Sequence, residues 1–130
     1  MSFPVDLVHF RAEEFQFPDL MDASFLRWLD RVRQRAGVSF QITNDARLPN
    51  TMPTGASKTS LHKRGRAVDL RSSAWTSAEK WKIISAIVFL AADAPGHVEL
   101  ETVFSDTDHH WHVGVDEYPN ATHEFIESDE

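Results

Sequence analysis

The chain has 130 residues, 42% of them apolar, with 13 basic and 20 acidic side chains and a formal charge of −7. That length suits one domain with a modest core, and the apolar content argues against a disordered chain. The acidic balance argues against nucleic acid as a partner, and the absence of cysteine removes disulfides and thiolate metal ligands.

No run of 18 apolar residues occurs, so no membrane insertion is expected. The stretch from Met1 to Asp6 has neither the basic nor the apolar region of a secretory signal. Residues 22–36 read as a helix, because Phe25, Leu26, Leu29, Val32 and Ala36 recur at helical spacing. Asp22 is its expected N-cap and Gly37 its expected stop. Val38, Phe40 and Ile42 alternate with Ser39, Gln41 and Thr43, the pattern of a half-buried strand. Asn44 to Thr59 then reads as a long loop with Pro49, Asn50, Pro53 and Gly55, and a loop of that length in a small domain is usually functional or mobile.

Arg66 to Arg71 reads as a second strand, with Ala67, Asp69 and Arg71 on one face and Val68 and Leu70 on the other. Thr76 and Glu79 form a capping-box signature opening a helix to about Ala92. Its expected apolar stripe is Trp81, Ile84, Ile87, Val88 and Ala91, and Pro95-Gly96 ends it. Val98 to Val103 and His110 to Val115 read as third and fourth strands. These elements predict an α+β domain over residues 1–130: a small antiparallel sheet of about four strands with helices packed on one side. Residues from about 118 to 130 are acidic and are expected as a loosely held tail. The four tryptophans read as core or rim residues, with Trp75 the exposed candidate for a substrate wall.

The chemistry is concentrated in two stretches. Residues 60–69 read S-x-H-x-x-G-x-A-x-D, with His62 and Asp69 as candidate metal ligands and Gly65 permitting the turn between them. Residues 106–112, Asp-Thr-Asp-His-His-Trp-His, offer a second cluster. Two imidazoles and a carboxylate leave a fourth zinc position open, as catalytic sites do. Read otherwise, Asp69 would pair with Arg66 or Arg71. For the third ligand, strand parity puts His110 and His112 opposite the core-facing Trp111, Val113 and Val115, which favours His112; His109 is the alternative. The absence of H-E-x-x-H excludes the common zincin arrangement. Lys58, Lys63, Arg64, Arg66 and Arg71 gather around the first stretch, either as a solvated loop or as a positive rim for substrate carboxylates.

S-x-H-x-x-G-x-A-x-D followed by H-x-H resembles the zinc peptidases of bacterial cell-wall metabolism. These are the D-Ala-D-Ala carboxypeptidases and dipeptidases and the phage L-alanyl-D-glutamate endopeptidases, whose fold is shared by the hedgehog signalling domain. The resemblance runs from about Phe10 to Asp116 and takes in the strand Phe40 to Thr43 and Arg47 before the motif. It implies Zn2+ as cofactor, held by His62, Asp69 and His112, and a peptidoglycan stem peptide as substrate. It further implies Asp106 as general base, with Asp108 and Glu101 as competitors, and His110 as an oxyanion or proton-shuttle group. Arg47 would bind near the scissile carbonyl, where its fork can hold an anion or polarise a carbonyl. Ser60 would bind substrate or hold the motif loop. A phage or prophage endolysin acting as a monomer is expected, made in the cytoplasm and released to the wall by another factor. The rival expectation is a non-catalytic, zinc-containing binding module of the same fold.

Overall fold

In a computed structural model of the chain, the first helix, α1 (Ala23–Ala36), begins where expected. The Asp22 carboxylate accepts a hydrogen bond from the Phe25 amide at 2.9 Å, satisfying one of the amides a helix start leaves open. Gly37 closes α1 in the left-handed region at φ 65°. The structure describes residues 2–46, 61–62, 64–104, 109–116 and 123–129. The second helix, α2 (Ser77–Leu90), carries the predicted capping box between Thr76 and Glu79.

The strands are β1 (Ile42–Asn44), β2 (Ala67–Arg71), β3 (His97–Phe104), β4 (His109–Asp116) and β5 (Glu124–Asp129). They form one sheet in the order β1-β2-β4-β3-β5. The first four pair antiparallel, giving the expected α+β arrangement. Both helices pack on the apolar face. Phe25, Leu26, Leu29 and Val32 from α1 and Ile83, Ala86, Ile87 and Leu90 from α2 share one core with Val68, Leu70, Val98, Leu100, Trp111, Val113 and Val115.

Four expectations need correction. The acidic segment after Tyr118 is not simply a loose tail, because Glu124–Asp129 pairs parallel with β3. Backbone groups on the outer edge of β3 drive that pairing and need no apolar signature in the partner. The buried stripe of α2 is Ile83, Ala86, Ile87 and Leu90, whereas Trp81 is 68% exposed and Val88 and Phe89 also face outward. This helix is apolar around much of its circumference, so several stripes fit the spacing and packing selects among them. Trp75 is no substrate wall: it is 8% exposed, donates from Nε1 to the Ser39 carbonyl at 2.9 Å and stacks edge-on against Trp111.

Arg66 is not part of a basic rim. Its buried guanidinium reaches the Val115 carbonyl, the Pro95 carbonyl and the Asp22 carboxylate at 2.8, 2.8 and 3.0 Å. It therefore ties the start of α1 to the end of β4 and the turn before β3. Lys58 and Lys63 lie outside the described residues, and the other two basic residues of that group, Arg64 and Arg71, contact Asp116 and Ser73. No helix among the described residues is long and apolar enough to cross a membrane.

Candidate metal centre

The face of the sheet opposite the helices carries the polar cluster. In the β2–β4 ladder Asp69 stands directly across from His112, so their side chains emerge side by side. His62 reaches the same point from the turn before β2. That turn is fixed by two features. The Arg66 and Gly65 amides donate to the Leu61 and His62 carbonyls at 2.9 and 3.1 Å. Leu61 is buried above Gly114 of β4, where an added Cβ would stand 2.8 Å from the Leu61 side chain. Gly65 adopts φ 69°, as the motif reading required.

The resulting triad is tight. Asp69 Oδ1 lies 3.2 Å from His62 Nε2 and 3.3 Å from His112 Nδ1. Two ligand bonds of about 2.1 Å at a tetrahedral angle would separate their donor atoms by roughly 3.4 Å. One ligand atom from each of His62, Asp69 and His112 falls within 4.8 Å of the others, so the three could hold a metal ion.

The surrounding hydrogen bonds orient each ligand. His62 Nδ1 lies 2.9 Å from the Asp45 carbonyl, which can only accept, so Nδ1 carries a proton. Nε2 is then the nitrogen that faces the carboxylate oxygen of Asp69. At 3.2 Å from Asp69 Oδ1, that nitrogen can ligate a metal ion shared with the carboxylate, or carry a proton and donate to it. Asp45 is itself buried, and its carboxylate accepts from the Gln16 and Phe17 amides, anchoring the carbonyl that aims His62. The Asn44 amide donates to Asp69 Oδ2 at 3.2 Å, which leaves Oδ1 for the centre.

The charge balance of the metal-free cluster follows. Burial alone would raise the Asp69 pKa, but hydrogen bonds from His112 and His62, with their charge, hold it far below the usual carboxylate range. Burial likewise opposes charging of His112, yet Asp69 and Glu99 push its pKa up to about 9. Without a metal, protonated His112 supplies the positive charge beside Asp69.

Among the candidate histidines, parity on β4 brings His112 to the triad. His109 is exposed, and its carbonyl accepts from the Ser72 amide. His110 lies two residues before His112, on the same face and opposite Arg71. Asp106, Asp108, Arg47 and Ser60 lie outside the described residues. Glu101 stands across β3–β4 from His112. Sequence reasoning missed Glu99, Asn44 and Asp45. Glu99 is opposite Gly114, which sets it on β3 between the residues that pair with His112 and Asp116. Its Oε2 stands 3.7 Å from His112 Nε2. Its parity with Glu101 was visible, but the register against β4 was not. Comparison with family models, curated proteins and solved structures finds no match to this chain.

Proposed function

We propose that the protein is a zinc-dependent peptidase hydrolysing peptide bonds in peptidoglycan stem peptides, of the phage or prophage endolysin type. The observation that carries this reading is the His62–Asp69–His112 triad, with its outer hydrogen bonds already committed to orienting the ligands. Two imidazoles favour a borderline metal such as zinc over magnesium or calcium, which take oxygen ligands. Three protein ligands leave a fourth position for water or substrate, and the 20% exposure of the His112 side chain gives solvent a route to it. Bound there, zinc would supply carbonyl polarisation and a water of lowered pKa. The S-x-H-x-x-G-x-A-x-D resemblance supplies the substrate class.

The residues of the chain divide the remaining work. Asp106 is the proposed base that takes the water's proton, with Glu101 and Glu99 as carboxylates on the sheet face that bears His112. Asn44 and the Asp45 carbonyl keep Asp69 and His62 aimed at one point. Arg47 and Ser60 are the proposed substrate contacts, and His110 the proposed oxyanion or shuttle group. The test is release of new termini from purified peptidoglycan by the protein as isolated, after chelation, and after zinc is restored. Activity lost on chelation and regained with zinc is expected. Stoichiometric zinc without hydrolysis would replace the peptidase by the binding-module reading.

A further inference from the structure

A second group of ligand-type side chains lies on the same sheet face. His97 and Asp116 are directly paired across β3–β4, and Glu99 follows two residues after His97 on the same side of the strand. Each of the three offers one ligand atom within 4.8 Å of the others. We propose that His97, Glu99 and Asp116 form a second divalent-cation site, joined to the His62–Asp69–His112 centre through the Glu99 carboxylate.

His97 is the residue that points to a ligand. It is only 7% exposed, and its Nδ1 has no hydrogen-bond partner among the described residues. Its Nε2 stands 3.7 Å from Glu99 Oε1, beyond a hydrogen bond. A buried imidazole whose Nε2 faces a carboxylate across a gap too wide for a hydrogen bond is costly to leave so, and an ion in that gap would engage Nε2. A separation of 3.7 Å is close to what two bonds of about 2.1 Å span across one metal. One imidazole and two carboxylates suit zinc or manganese.

Glu99 makes the two centres interdependent. Its Oε1 faces His97 and its Oε2 faces His112 Nε2, each at 3.7 Å. A cation drawing Glu99 towards His97 and Asp116 would alter the partner that orients His112. Such outer partners of ligating histidines typically change metal affinity 10–100-fold. The proposal rests on this cluster and not on the peptidase reading.

The experiment is zinc titration of the metal-free 130-residue chain by calorimetry, checked by elemental analysis after dialysis, with circular dichroism to verify folding. The wild type should take up two equivalents. His97→Gln and Asp116→Asn should each take up one, and so should His62→Ala. Glu99→Gln should lose the second equivalent and bind the first at least tenfold more weakly. A wild type that saturates at one equivalent, removed by His62→Ala and kept by His97→Gln, overturns the proposal. So does a folded His97→Gln variant that still takes up two. A single equivalent removed by His97→Gln but not by His62→Ala would uphold this site and sink the metal centre on which the proposed function depends. Asp116→Asn, at a partly exposed position, gives the same reading if His97→Gln fails to fold.

Discussion

Gly65→Ala and Gly37→Ala form a matched pair that tests how the metal loop is held. Both glycines have left-handed backbones, at φ 69° and 65°. A Cβ on Gly37 would meet nothing within 4 Å. That variant bears only the left-handed penalty of about 1–2 kcal/mol, less the roughly 0.4–1 kcal/mol gained from a stiffer unfolded chain. A Cβ on Gly65 would run into the Leu20 carbonyl and come within 2.9 Å of both the Asp22 amide and Met21 Cα. Backbone must move there. The Asp22 amide would lose its 2.9 Å hydrogen bond to the Gly65 carbonyl, worth about 0.5–1.5 kcal/mol. The Arg66–Asp22 contact would loosen with it. Adding about 1–3 kcal/mol for forced repacking gives, with the same left-handed penalty, a total of about 4 kcal/mol. With an unfolding entropy of about 0.27 kcal/mol/K for 130 residues, Gly37→Ala should lower Tm by roughly 2–4 °C and Gly65→Ala by roughly 14 °C. The assay is thermal denaturation in chelator, followed by zinc titration. Gly65→Ala should weaken zinc binding, since His62 sits three residues earlier, while Gly37→Ala should leave it unchanged. Equal Tm losses, or native zinc affinity in a folded Gly65→Ala, would refute the claim that close packing at Gly65 sets the position of His62.

Three further outcomes are expected. His62→Ala and Asp69→Ala should lose the zinc of the first centre by elemental analysis while His109→Ala retains it; loss in the His109 variant alone would shift the third ligand. Asp106→Asn should lower peptidoglycan hydrolysis about 10²–10⁴-fold with metal content and Tm unchanged, and native activity would move the base to Glu101 or Glu99. In the metal-free protein, His112 has a pKa of about 9 against an ordinary 6.5, so its contribution to stability is complete below 6.5 and lost as pH rises through 9. Chelated protein should therefore melt lower at pH 9 than at pH 6.5, and the difference should vanish in His112→Gln.

Local rules were legible wherever one residue type answers one backbone need. Asp22 and Gly37 bounded α1, Thr76 and Glu79 opened α2, and the alternation around Trp111 put His112 on the polar face. What stayed hidden depends on pairing across the chain. No property of Glu99 alone reveals that it pairs with β4 two residues from His112, and so faces two histidines. Asp45 contributes its carbonyl, which any residue possesses, so its side chain gave no sign of a link to His62. The acidic composition of β5 masked a strand held by backbone bonds.

That fifth strand has a bearing on handling the protein. Val98 donates its amide to His123 Nδ1 at 2.9 Å, and the parallel pairing with β3 follows immediately, from Glu99–Glu124 onward. Cutting the chain after Asp116 would remove both. The outer backbone groups of β3 would then be left as a bare border, open to the same border on another molecule. Such a shortened chain should retain α1 and α2 yet self-associate as its concentration rises, and light scattering would register this before any loss of helical signal.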